Sequence, residues 1–169
     1  MTGKKAKNKA MVAATLLFII YVIFLVWMLL FKMRVSLEEI YKTRSINLIP
    51  FYNATLHSSD IVNNVIVFIP FGVYLTMLFS NLNVVKKAII VLGTSLAIES
   101  FQYILAIGCA DITDVITNTF GGLLGICLYL LIKKIFKNKQ RVDFIITIMA
   151  GFGTVLIIAL LSVVFTVNR

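Results

Sequence analysis

The chain has 169 residues, 60% of them hydrophobic, and its mean hydropathy is +1.01. Soluble domains average about 45–50% apolar residues, so the composition excludes an ordinary soluble protein and predicts one integral membrane domain over residues 1–169. The net charge of +9 does not indicate a nucleic-acid partner, because the basic residues stand at the ends of apolar runs, where membrane topology requires them.

A membrane-spanning helix needs about 20 consecutive apolar residues, and five segments meet this requirement. In chain order they are Ala10–Phe31, Ile61–Ser80, Ala88–Ile107, Val115–Ile135 and Phe144–Val167. The predicted fold class is therefore all-α, a polytopic membrane helix bundle of about five transmembrane helices.

The first segment follows a run of lysines, as a signal peptide does. Its apolar run is too long for a signal peptide, and no small-residue cleavage site follows it. We therefore interpret it as a retained signal anchor. After it comes Asn47–Phe51, with the sequence NLIPF, which is consistent either with an interfacial segment that covers a polar site or with a turn before the second helix.

The distribution of Lys and Arg among the loops predicts the orientation. With the N-terminus inside, eleven of the sixteen basic residues lie in cytoplasmic segments and five lie outside. This count predicts a cytoplasmic N-terminus and an external C-terminus. The loop between the first two helices and the short turn Gly108–Asp114 then both lie on the outer side.

The second segment is the weakest of the five, because Pro70 and Gly72 interrupt it. Proline removes a backbone donor and is expected to kink the helix. Asn63 and Asn64 enter at its outer end.

The third and fourth segments carry polar side chains at helical spacing. Glu99 and Gln102 share one face of the third helix, together with Ser95 and Ala106. Asp114, Asn118, Gly121 and Gly125 follow the same spacing on the fourth helix, where the glycines allow another helix to approach closely.

These polar residues are expected to converge in the outer half of the membrane. Ionisable residues inside a membrane are functional candidates by default. The structural alternative treats the amides as links between helices and Glu99 as protonated or satisfied by a neighbour. In it Asp114 is an N-cap or first-turn residue, favoured there by the helix dipole. Asp111 is expected to end or line the turn between the third and fourth helices.

Four motifs in order resemble the VanZ family of small membrane proteins. They are RSINLIPF (Arg44–Phe51), NVIVFIPFG (Asn64–Gly72), ESFQ (Glu99–Gln102) and DITDVITNTFGGLLG (Asp111–Gly125). Many members of the family carry an Arg where this chain has Gly108. If that Arg binds an anionic group elsewhere in the family, Arg44 is the candidate to replace it.

The resemblance implies decreased susceptibility to lipoglycopeptide antibiotics such as teicoplanin, and it implies no catalytic mechanism. The resulting candidate functional cluster comprises Arg44, Asn47, Pro50, Asn64, Pro70, Glu99, Gln102, Asp111, Asp114 and Asn118. The candidate helix-packing residues are Gly72, Gly121, Gly122 and Gly125.

Three functions are compatible with these residues. The first is a resistance factor of the cell membrane that binds membrane lipid, a lipoglycopeptide or a lipid-linked cell-wall precursor at the outer leaflet. The second is an enzyme that modifies such a lipid, with Glu99 and Asp114 as a general acid–base pair. The third is a small transporter or a packing subunit of a larger complex. The sequence has no nucleotide-binding loop, serine elbow, metal motif or cofactor motif, which favours the binding factor; the oligomeric state stays open.

Overall fold

The computed structural model describes residues 2–30, 44–52 and 58–167. Within them the helices are α1 (Thr2–Leu30), α2 (Ser58–Leu78), α3 (Val84–Leu105), α4 (Ile112–Phe136) and α5 (Lys139–Val167), and the strands are β1 (Arg44–Asn47) and β2 (Gly108–Asp111). The predicted all-α helical bundle is confirmed, and the ends of most helices agree with the predicted ends to within a few residues.

Four of the described helices are long and apolar enough to cross a membrane. These spans are Ala10–Leu30, Ser59–Leu78, Val84–Leu105 and Ile112–Phe136. The helix α2 continues without a break through Pro70. A fifth crossing by α5 and the orientation of the chain stay predictions.

The two short strands were not predicted. The segment Gly108–Asp111, expected to be part of a turn, is β2 and pairs in parallel with β1. In this register Arg44 is opposite Gly108 and Asn47 is opposite Asp111. The backbone N–H and C=O groups of these two segments have no helical partners, and pairing the strands lets them hydrogen-bond to each other. Four residues are too few to show the alternation that predicts a strand.

Both ends of α3 are capped. The side chain of Asn83 accepts a hydrogen bond from the backbone N–H of Lys86 at 2.8 Å, as an N-cap residue does. At the other end Ala106 takes a left-handed conformation with φ of 55°, and the N–H of Ile107 donates to the carbonyl of Gln102 at 3.1 Å. This turn ends the helix and leads the chain directly into β2.

The chain divides into two compact units, and the predicted single domain stays a prediction. One unit consists of residues 22–131 and contains both strands, α2, α3 and most of α4. Its buried core includes Leu25, Phe68, Val91, Ile126 and Tyr129. The other unit consists of residues 1–21 and 132–169, and in it Lys139 and Asp143 form an ion pair of 2.6 Å.

Glycines bring α2 and α4 into close contact in the larger unit. A Cβ atom at Gly121 would overlap the carbonyl oxygen of Val65, and one at Gly125 would overlap that of Ile69. A Cβ atom at Gly72 would likewise overlap the backbone carbonyl of Gly122. The two backbones therefore touch along this line, and no side chain separates them.

Candidate functional site

Polar side chains of the larger unit gather at one end of its helices. Asp60 and Asp114 lie in the first turns of α2 and α4, and Gln102 lies in the last turn of α3. The strands β1 and β2 lie at this same end, because β2 joins α3 to α4. The alternating directions of the helices thus bring together residues that are far apart in the chain.

A buried hydrogen bond joins α2 to α4. The Asn64 side chain is 7% exposed and the Asp114 side chain is 9% exposed. Asn64 Nδ2 donates to Asp114 Oδ1 at 2.8 Å. A buried carboxylate is costly unless it is hydrogen-bonded, so this amide stabilises Asp114 in the interior and fixes its position.

Asp111 and Glu99 organise the entry into α4. Glu99 Oε2 accepts a hydrogen bond from the backbone N–H of Asp111 at 2.9 Å. Asp111 Oδ1 accepts from the N–H of Thr113 at 2.7 Å, and its Oδ2 accepts from Asn47 Nδ2 at 3.0 Å. Asp111 therefore caps the start of α4, and its bond with Asn47 connects this start to β1. Glu99, on α3, fixes the end of β2 through the backbone N–H of Asp111.

The segment Asn47–Phe51 is attached to the beginning of α4. Asn47 Oδ1 accepts from the N–H of Ile49 at 3.1 Å, which is an Asx turn. The backbone N–H of Phe51, whose φ is 58°, donates to Thr113 Oγ1 at 3.0 Å. The segment therefore makes a chain turn before α2 and also contacts the first helical turn of α4. It combines features of the interfacial segment and of the simple turn that the sequence left open.

Gln102 is buried with one half of its amide unpartnered. Its Nε2 donates to the backbone carbonyl of Leu29 in α1 at 2.9 Å. Its Oε1 has no hydrogen-bond partner among the described residues, although the residue is only 1% exposed. Buried polar atoms are nearly always paired, so this oxygen is an acceptor that can take a hydrogen bond from a group in its surroundings.

A cavity of about 60 Å³ lies among these side chains. It has room for a few water molecules or for one small polar group. Its lining consists of Met28, Leu29, Asp60, Asn63, Asn64, Val67, Glu99, Gln102 and Asp114.

The structure brings only part of the candidate cluster to this cavity. Asn64, Glu99, Gln102 and Asp114 line it, and Asn47 and Asp111 support it through the hydrogen bonds described above. Asn118 is fully buried elsewhere, where its Nδ2 donates to Ser95 Oγ at 3.0 Å.

Other candidates are placed differently. Pro50 and Pro70 are exposed and do not line the cavity. The backbone of Arg44 pairs with Gly108, but its side chain is outside the described part of the chain, as is the whole of His57.

Asp60 is the carboxylate of the cavity lining that is absent from the predicted cluster. It stands four residues before Asn64 and seven before Val67, so the three share a face of α2. This spacing was visible in the sequence. Asp60 stands only two residues after the start of α2. The direction of a side chain at a helix end depends on where the helix begins, which the sequence does not fix to the residue.

The lining is rich in groups that accept hydrogen bonds. An ionised carboxylate is an acceptor only, and each amide adds a carbonyl oxygen. In the described ranges, no group of three or more His, Cys, Asp or Glu residues is arranged to hold a metal ion. The arrangement can therefore accept hydrogen bonds from a bound polar group at the level where the helices end.

Comparison with known proteins agrees with these motifs. The model of the VanZ/LLP1 family matches residues 18–136, which include every candidate residue. Protein VanZ of Enterococcus faecium is 42% identical to the chain over 144 residues, which are 84% of this chain and 86% of that protein. No solved structure matches the chain.

Proposed function

The chain belongs to the VanZ/LLP1 family and is a multi-pass membrane protein, and from this premise we propose that it lowers susceptibility to teicoplanin and related lipoglycopeptides. It does so by binding a membrane-seated amphiphile at the outer leaflet. The amphiphile is the antibiotic itself or a lipid-linked cell-wall precursor, and its polar part enters the cavity between α2, α3 and α4.

The observation that carries this proposal is the polar cavity inside a chain that is otherwise strongly apolar. Ionisable side chains within membrane-spanning helices are rare, and they usually face the interior of the helix bundle or a water-filled cavity. Three carboxylates and three amides line one cavity. Gln102 Oε1 and Asn118 Oδ1 are both buried without a partner in the described residues, and of the two residues it is Gln102 that lines the cavity.

The charge distribution supports action at the outer leaflet. With the N-terminus inside, as predicted from the sequence, eleven of the sixteen basic residues lie in cytoplasmic segments. Because cytoplasmic loops carry the excess of Lys and Arg, the cavity then faces outward, where lipoglycopeptides and their targets are found.

A membrane enzyme is the second candidate, because Glu99 and Asp114 line the same cavity. General acid–base catalysis needs groups that exchange protons with a substrate. Here Glu99 Oε2 accepts from a backbone N–H and Asp114 Oδ1 accepts from Asn64, so both carboxylates already serve as fixed acceptors. A change in cell-wall lipids on expression, absent in Glu99→Gln, would favour the enzyme.

Growth inhibition by teicoplanin derivatives of different acyl length tests the binding proposal. Each buried CH₂ contributes about 0.8 kcal/mol to membrane anchoring, so the acyl chain gives the antibiotic much of its advantage at the membrane. We expect protection to be strong against long-chain derivatives and weak against vancomycin, which lacks the chain. Equal protection against a chain-free derivative would contradict the proposal.

The cavity should be required for this protection. Glu99→Gln keeps an oxygen that can accept from the N–H of Asp111 but cannot carry a negative charge. We expect this variant to accumulate normally in the membrane and to lose most protection, whereas Ile116→Leu, on the exposed side of α4, keeps it. Binding of labelled teicoplanin to cells is measured in parallel; full protection by Glu99→Gln would remove this residue from the site.

A further inference from the structure

We infer that the cavity binds a hydrogen-bond donor, a hydroxyl or an ammonium N–H, in the headgroup of the amphiphile and does not bind the phosphate of that headgroup. This inference rests on the proposed function, in which the cavity holds the polar part of a membrane-seated molecule. It adds the chemical class of the group that the cavity selects.

The orientation of the Gln102 amide is the first step. The carbonyl of Leu29, 2.9 Å from Nε2, can only accept a hydrogen bond, so the NH₂ half of the amide must face it. The half without a partner in the described residues is therefore the oxygen, which is an acceptor. Gln102 is 1% exposed and lines the cavity, so a group in the cavity that bonds to this oxygen must be a donor.

The remaining lining leads to the same conclusion. Asp60, Glu99 and Asp114 all line the cavity. An ionised carboxylate can only accept hydrogen bonds, and Asp114 and Glu99 act as acceptors here, from Asn64 and from the N–H of Asp111. Phosphate oxygens are also acceptors, and facing them with carboxylates brings like charges together. Hydroxyl and ammonium groups are complementary to this lining.

The depth of the cavity suits a headgroup. Gln102 is three residues before the end of α3 at Leu105, or roughly 4.5 Å along the helix axis. Asp60 and Asp114 lie in the first turns of their helices. Because these helices are long enough to cross the hydrocarbon core, their ends lie at the level of the lipid headgroups, where hydroxyl and ammonium donors are found.

Matched lipid pairs test the inference on the full-length protein. The protein is placed in nanodiscs of phosphatidylcholine, whose headgroup has no N–H or O–H donor, and retained lipid is measured by native mass spectrometry. Phosphatidylethanolamine differs from the host in its N–H donors, and phosphatidylglycerol differs from phosphatidylmethanol in its hydroxyls while the net charge stays the same. We expect each donor-bearing lipid to be retained about tenfold better than its matched partner.

Three variants assign the effect to the cavity. Gln102→Met keeps the length of the side chain and removes its oxygen together with Nε2, so it should weaken both preferences several-fold while the carboxylates of the lining remain. Asp60→Asn removes a charge at an exposed position and should reduce the preference for the ammonium lipid several-fold more than the preference for the hydroxyl lipid. Asp143→Asn removes a carboxylate of α5 and should change neither, which makes it the matched control.

The outcomes separate this inference from the function it rests on. Equal retention within both pairs, or strongest retention of phosphatidylmethanol, would overturn the inference. Donor selectivity in nanodiscs without protection of cells would contradict the proposed function alone, and protection that depends on Glu99 without donor selectivity would contradict the inference alone.

Discussion

Asp114 and Asn64 show how single residues give the site its shape. Their hydrogen bond of 2.8 Å joins α2 to α4 in the interior, where an unpaired carboxylate would be costly. Asp111 has a comparable role at the surface of the cluster, since both its oxygens and its backbone N–H are hydrogen-bonded. Each of these polar contacts positions a backbone segment or a lining side chain.

Exchanging the two members of the buried pair tests its contribution. Asn64→Asp alone faces Asp114 with a second carboxylate and should lower the free energy of unfolding by about 1–3 kcal/mol. Adding Asp114→Asn restores an amide donor and a carboxylate acceptor, so the double variant should recover most of the loss. Thermal unfolding in detergent measures both, and Asn81→Asp at an exposed position is the control; a double variant as unstable as Asn64→Asp would contradict the pairing.

At the scale of elements, the close contact of α2 with α4 determines how near Asn64 comes to Asp114. The backbone of α2 at Val65 and Ile69 touches the glycine face of α4. In membranes such contacts replace the hydrophobic driving force of soluble proteins, because van der Waals packing between close backbones stabilises the pair. The glycines and the polar pair therefore depend on the same helix–helix distance.

Adding one methyl group at this contact should separate the helices. A Cβ atom at Gly125 would lie 3.0 Å from the backbone nitrogen of Val73 and overlap the Ile69 carbonyl oxygen. We expect Gly125→Ala to lower stability by about 1–3 kcal/mol, as overpacking does, and to reduce protection. Gly93→Ala, whose Cβ meets nothing within 4 Å, should not lower stability, since alanine favours a helix over glycine, and it should keep protection; equal effects of the two variants would rule out the contact as the cause.

At the scale of the whole molecule, helix direction and charge together decide which side of the membrane the cavity faces. The start of α2 lies beside the cavity, and the start of α3 follows after α2 has run the length of a membrane span. Ser59 and Lys86, both exposed, mark these two ends. Their sidedness therefore determines whether the cavity can meet molecules of the outer leaflet.

Cysteine labelling measures this sidedness. In a background where Cys109 and Cys127 are replaced by Ser, Ser59→Cys should react with an impermeant thiol reagent in intact cells, because the positive-inside rule places this end outside. Lys86→Cys should react only after the cells are permeabilised. The reverse pattern would put the cavity on the cytoplasmic side and contradict action at the outer leaflet.

The sequence by itself determined the helices and the faces that carry polar residues. A run of apolar residues is a local property, and helical hydrogen bonds join residues four apart, so length and spacing suffice to predict α1 to α5. The spacing of Glu99 and Gln102 on α3, and the position of Asp114 at the start of α4, agree with their places around the cavity. The family followed from four short motifs.

Only the tertiary structure decided which polar groups meet. Asn47 and Asp111 are 64 residues apart, and Asn64 and Asp114 are 50 apart. Such contacts depend on how the helices and strands pack, which local spacing does not encode. For this reason the pairing of β1 with β2 and the place of Asp60 in the lining were not predicted. Packing also decides that Asn118 donates to Ser95 and does not line the cavity.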